Sequence, residues 1–202
     1  MSEQVQVRLP RRYTWSDYQT WPDGERWEII AGVAYNMSPA PNTQHQKIAG
    51  HLFGMLYAKL AGLRCTPFTA PTDVKLSEQD VVQPDVLVVC DPSKITPTHI
   101  EGAPDLVVEV LSPSTSTKDL REKLALYQRS GVREYLIVDP MENYVQRLLL
   151  GEDGAYGRGE IFAPDETITL AALEGVSIAL WEVFEHPVPG AVQPARGPEQ
   201  WQ

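Results

Sequence analysis

The chain has 202 residues, 43% hydrophobic and 22% charged, a length and balance that suit one globular domain and exclude wholesale disorder. Lys plus Arg number 17 against 27 for Asp plus Glu, a formal charge of -10, which counts against tight non-specific binding of nucleic acid but leaves room for a local basic groove. No apolar run reaches the ~18–20 residues of a membrane span, so no membrane partner is expected.

In chain order, residues 1–12 read as a flexible lead-in, and the stretch from Thr14 to Tyr18 opens a short helix capped by Thr14 or Ser16. Arg26–Ile30, a turn at Ala31-Gly32, and Val33–Met37 form a β-hairpin pattern, broken by Ser38-Pro39-Ala40-Pro41. From Thr43 to about Leu63 the positions Ile48, Leu52, Met55, Leu56 and Leu60 recur at helical spacing, with Gly62 suited to the stop. Strand-like runs follow at Arg64–Thr69, Asp73–Leu76, Pro84–Cys90 and Asp105–Leu111. Ser116-Thr117-Lys118-Asp119 is a capping-box pattern for a helix to about Arg129, stopped by Gly131. Tyr135–Pro140 and Tyr144–Leu150 are further strands, short β and turn material reaches Phe184, and 187–202 is a Pro/Gly-rich tail expected to be disordered. The order predicts a mixed α/β (α+β) fold over residues 13–186, a sheet covered by helices.

The chemically demanding residue is Glu109, inside Leu106-Val107-Val108-Glu109-Val110-Leu111. An ionised carboxylate among aliphatic neighbours must find a cation, hydrogen bonds or a proton. Asp85 heads the other central strand, and two acids on neighbouring strands can share a divalent cation, for which oxygen ligands suit Mg²⁺. Asp105 is a poorer partner, because four residues along one strand put it about 13 Å from Glu109. Asp73-Val74-Lys75 is another acid–x–Lys triplet. In the helix from Ser116, Leu120, Leu124 and Tyr127 form the inward stripe with Lys123 at its edge, placed to aim its ammonium at the strand ends.

Pro84-Asp85-Val86, Pro104-Asp105 through Thr115, Lys123, Tyr127, Gly131-Val132 and Tyr135–Pro140 together resemble the Uma-type restriction endonucleases, a branch of the PD-(D/E)XK nuclease superfamily. Trp27–Gly32 and Ser38–Pro41 with His45 match that branch too, so the resemblance spans roughly residues 14 to 183. It implies a restriction-endonuclease-like core and Mg²⁺-dependent (or Mn²⁺-dependent) hydrolysis of DNA phosphodiester bonds. Position by position it implies Asp85 and Glu109 as catalytic acids and metal ligands, with the Val110 carbonyl as a further ligand. Glu28 is an added acid. Leu111 stands where the name-giving motif has lysine, and Lys123 on the following helix fits that role. Cleavage of both strands implies a homodimer.

Each residue also has a plainer reading. Lys123 suits a solvated helix edge, Glu28 a surface ion pair with Arg26, and His45 a satisfied helical histidine or a site residue. Ser112, Ser114, Thr115 and Ser116 read as helix caps, although a helix N-terminus also favours phosphate. With two cysteines there is no disulfide framework, so Cys65 and Cys90 are expected to pack as small hydrophobes in a reducing cytoplasm. No nucleotide-loop, hydrolase-elbow or zinc-ligand pattern occurs. The alternatives to a nuclease are a catalytically lapsed dimeric binding domain and an enzyme acting on a small phosphate compound.

Overall fold

The computed structural model describes residues 11–22, 24–37, 42–112 and 119–190. The expected break at 38–41, the caps at Ser114–Ser116, most of the lead-in and the tail beyond 190 lie outside the described residues.

Helix α1 (Trp15–Tyr18) is held by a capping box, Thr14 and Asp17 satisfying each other's backbone N–H groups. Strands β1 (Trp27–Ile30) and β2 (Val33–Asn36) form the expected hairpin. Its two-residue turn has positive φ at both Ala31 and Gly32, which matches the right-handed twist of the strands. A side chain at Gly32 would also strike Arg12, with a Cβ only 2.8 Å from the Arg12 Cβ.

Helix α2 (Thr43–Leu60) starts at Asn42, whose side chain accepts the His45 N–H. Its buried stripe is His45, Ile48, Ala49, Leu52, Leu56 and Leu60, the three-and-four spacing of one helix face. Strands β3 (Thr66–Thr69), β4 (Val74–Ser77), β5 (Asp80–Val82) and β6 (Val86–Val89) follow. After a 3-10 turn (Pro92–Lys94) come β7 (Ile100–Glu101) and β8 (Leu106–Val110). Strands β5 and β7 did not stand out in the sequence because runs of two or three residues carry no alternation to read.

A π-helical turn (Asp119–Lys123) leads into α3 (Leu124–Ser130), which ends on Gly131 in the left-handed conformation. Strands β9 (Glu134–Asp139) and β10 (Tyr144–Leu149) are long; β11 (Glu160–Phe162), β12 (Thr167–Thr169), β13 (Ser177–Ala179) and helix α4 (Leu180–Phe184) complete the chain.

The mixed α/β architecture is the expected one, but its strands divide among three sheets. One has the order β2-β1-β5-β4-β7, a second β11-β10-β9-β8-β6-β3, and β12 pairs with β13. Pairing is antiparallel except for β4 with β7 and β8 with β9. On one face of the larger sheet Val86, Val88, Leu106, Val108 and Val110 pack with the α2 stripe. On the other, Leu87, Val107 and Ile137 pack with Leu126 and Tyr127 of α3 and with Ile30, Val74 and Val82 of the smaller sheet. The chain passes from one sheet to the other through Gln83-Pro84-Asp85. Among the described residues, no helix is long and apolar enough to cross a membrane.

The cysteines depart from expectation. Cys65 and Cys90 form a disulfide rather than packing as free thiols. The reason is pairing: β3 and β6 run antiparallel with Thr66 opposite Val89, so the residues just outside that pair meet across the strand ends. Spacing along the chain could not reveal which strands adjoin.

Candidate active site

Alternation along β8 sends Leu106, Val108 and Val110 toward α2, and Val107 toward α3 and the smaller sheet. Glu109 shares the parity of Val107 and is 3% exposed. Its Oε1 accepts a hydrogen bond of 2.8 Å from Lys123 Nζ and one of 2.6 Å from the Tyr127 hydroxyl. Lys123 and Tyr127 are four residues apart, the spacing that stacks side chains on one side of a helix.

The same ammonium lies 3.0 Å from Oε1 of Glu28, a β1 residue that is 1% exposed. Lys123 is itself 3% exposed. It therefore bridges two carboxylates that belong to different sheets. Both plain readings of these residues fail here: Lys123 is not at a solvated edge, and Glu28 is not a surface partner of Arg26, which instead donates to Gln83 Oε1. Lys123 has α-helical backbone angles, φ -68 and ψ -37, and so shares the inward face with Tyr127 one turn on.

Asp85 stands one residue before β6. The register Val86↔Val108 places its backbone opposite Glu109. Asp85 Oδ2 accepts the Val110 N–H at 2.9 Å and lies 3.1 Å from His45 Nε2 on α2. Its other oxygen has no hydrogen-bond partner among the described residues. His45 is 4% exposed, and its Nδ1 is buried without a hydrogen-bond partner among the described residues. Asp85 and His45 thus pair with each other and join the glutamate–lysine group through the backbone of Val110. Asp105, at the other end of β8, is remote from this group; it accepts the Cys90 N–H and pairs with Arg133. The Asp73–Lys75 triplet is split, Lys75 pairing with Glu78 and Glu101.

Two roles escaped the sequence reading. Tyr127 is buried on the inward stripe as its spacing predicts, and its hydroxyl also serves Glu109. Burial first, and then the negative charges of Glu109 and Glu28, push its ionisation well above the usual phenol range, so it stays a donor. Gln83 donates its backbone N–H to Glu28 Oε1 at 3.2 Å, and its side chain reaches Tyr18 and Asp73. The available signal was a lone amide between apolar Val82 and Pro84.

Among the described residues, two buried glutamates and Asp85 gather around the Lys123 ammonium and the Val110 N–H. The oxygen donors of Asp85, Glu109 and Val110 have the chemistry a hard divalent cation requires. Among the described residues, no group of three or more His, Cys, Asp or Glu side chains is arranged to hold a metal by itself.

The comparisons agree with this architecture. Residues 15–181 match the model of the Uma2 family, described as "Putative restriction endonuclease". The chain belongs to that family. It is 30% identical over 142 residues to the uncharacterized protein slr1290 of Synechocystis sp., covering 68% of this chain and 74% of the relative. In fold it is similar to the crystal structure of "a putative nuclease belonging to DUF820" from Anabaena variabilis, with a TM-score of 0.70 at 18% identity over 85% of this chain and 97% of the other. The fold is of the restriction-endonuclease-like kind.

Proposed function

We propose that this chain is a metal-dependent endonuclease that hydrolyses phosphodiester bonds of DNA at the Asp85–Glu109–Lys123 site. The observation that carries the reading is the buried bridge of Lys123 between Glu28 and Glu109, beside an Asp85 oxygen without a hydrogen-bond partner among the described residues. Buried charge of this density is costly to keep for structure alone, since apolar replacements of similar volume are often no less stable.

In this reading Asp85, Glu109 and the Val110 carbonyl hold Mg²⁺ or Mn²⁺, with Glu28 adding negative charge behind Lys123. The bound ion supplies an acidified water and a counter-charge for the scissile phosphate. Tyr127 and Lys123 fix the rotamer of Glu109 by donating to one of its oxygens, and His45 and the Val110 N–H do the same for Asp85. Lys123 also carries a positive charge placed to favour negative charge that builds up on phosphorus. Two copies of the chain, one per strand, would cut a duplex.

Purified protein incubated with plasmid and Mg²⁺ or Mn²⁺ tests this directly. Wild type should nick or linearise the plasmid and Asp85→Ala should not. Equal cleavage by the two, or none by either over several metals and DNAs, removes the proposal.

A second reading, a binding domain that has lost catalysis, draws on the same contacts. Lys123 already pairs with both glutamates, and a chain of formal charge -10 is poorly suited to holding DNA. Calorimetry without any Mg²⁺ or Mn²⁺ binding, alongside an intact fold in Glu109→Gln, would favour it.

A further inference from the structure

Strand β3 ends the order of the larger sheet and pairs there with β6. Its two ends do different things. At one end the Cys65–Cys90 bond ties it covalently to the residue after β6. At the other, Thr69 Oγ1 and the Ala70 N–H donate to the Asp85 carbonyl at 3.0 and 3.1 Å. The carboxylate of the same Asp85 accepts the Val110 N–H and lies 3.1 Å from His45 Nε2. One edge strand thus runs from a disulfide to the backbone of a candidate metal ligand.

The loop that the bond closes, residues 65–90, carries β3 to β6 and with them Gln83 and Asp85. Covalent closure of a loop this size removes chain entropy from any state in which the loop opens, worth roughly a hundredfold in the opening equilibrium. An edge strand is where such opening starts, because one of its sides carries no ladder. Both cysteines are half-buried, packed against the α2 side of the core yet partly open to solvent. A reductant can reach them. Once the bond is cut, β3 keeps a four-residue ladder that includes Pro67, which has no N–H to give. It also keeps the Arg64 Nε donation to the Cys90 carbonyl at 2.7 Å. These ties survive reduction, so the strand loosens without leaving the fold.

We propose that the Cys65–Cys90 bond is a redox switch on the candidate active site, holding β3 and the Asp85 backbone in place when intact and loosening both when cut by a dithiol. A thiolate of the dithiol attacks one sulfur and forms a mixed disulfide; its second thiolate then closes the dithiol's own disulfide. Two electrons and two protons pass to the chain, and Cys65 and Cys90 are left as thiols. That the switched property is DNA cleavage rests on the nuclease reading; the loosening of β3 does not.

The full chain, oxidised or treated with dithiothreitol under native conditions, is followed by amide exchange and by plasmid cleavage with Mg²⁺. Dithiothreitol should yield two thiols per chain and leave the fold intact. Exchange of the Ala70 and Val110 N–H groups should quicken by about tenfold or more, and cleavage should fall by about as much. Cys65→Ser with Cys90→Ser should behave as the reduced chain with or without dithiothreitol. Should that variant fail to fold, the treated wild type decides alone. A bond that dithiothreitol opens only in denatured protein, unfolding of the whole chain on reduction, or unchanged exchange at Ala70 overturns the switch. Cleavage by the reduced chain equal to or above that of the oxidised chain also overturns it. Quickened exchange with no cleavage in either state overturns the nuclease reading alone.

Discussion

Asp85 and Asp105 occupy matching places at opposite ends of one antiparallel pair. Each follows a proline and stands just before its own strand, β6 or β8. Each carboxylate accepts the N–H at the far end of the partner strand, Asp85 from Val110 at 2.9 Å and Asp105 from Cys90 at 2.7 Å. Their surroundings differ: Asp85 faces a buried histidine beside Glu109, and Asp105 faces the exposed Arg133.

This pair separates structural from functional use of the same contact. Asp105→Ala and Asp85→Ala should each lower stability in urea by about 1–3 kcal/mol, the cost of a lost charged hydrogen bond. Plasmid cleavage should survive in Asp105→Ala and vanish in Asp85→Ala.

Lys123→Met leaves two buried carboxylates without their cation. The expected loss is about 3–5 kcal/mol in equilibrium denaturation. Adding Glu109→Gln to Lys123→Met should recover part of that loss, a coupling that a double-mutant cycle measures.

Tyr127→Phe removes a donor from Glu109 while keeping the ring packed against Tyr135. Stability should fall by about 1.5–3 kcal/mol, the range for a hydrogen bond to a charged group. Because the phenol stays protonated, the difference between variant and wild type should show no phenolic titration up to pH 10.

Glu134 provides a pH test away from the site. It is fully buried at the start of β9, and its carboxyl is raised above the ordinary value of 4.5, by burial first, against the opposing Ala172 and Ala171 N–H groups, Arg147 and Arg133. A group raised on folding penalises the native state when ionised, so wild type should gain stability relative to Glu134→Gln as pH falls through the raised value toward 4.5. Urea midpoints of the two proteins across this window should converge or cross. Parallel curves would deny the burial of this charge.

The Cys65–Cys90 bond closes a loop with a sequence separation of 25, worth about 3 kcal/mol in the unfolded chain. Thiol titration of the denatured, unreduced protein should find no free cysteine, and reduction should lower the denaturation midpoint.

How much of this could be read from residues alone varies with the range of the interaction. Glu109 announced itself because a lone acid inside Leu106–Leu111 has no cheap place to go, and helix α2 because five apolar positions keep one phase. The hairpin turn followed from Ala31-Gly32. Other features depend on which distant segments meet. Glu28 acquires its meaning only when β1 is laid beside the entry to β6, and the cysteines only when β3 is set against β6. Lys123 aims its ammonium at Glu109 as its place beside the inward stripe predicts, but its second partner, Glu28, comes from a distant strand of the other sheet. The Tyr18–Asp73 hydrogen bond likewise depends on Tyr18 arriving from 55 residues earlier.

The placement of Glu28 and Glu109 on separate sheets carries a consequence for assembly. A piece of this chain holding β1 and β5 would lack the Lys123 ammonium that meets Glu28, and a piece holding β8 without the following helix would lack it for Glu109. Only the completed arrangement supplies one ammonium to both. The chemistry of the molecule is therefore a reporter of its tertiary closure, and a half-formed intermediate should be as incompetent electrostatically as it is unstable.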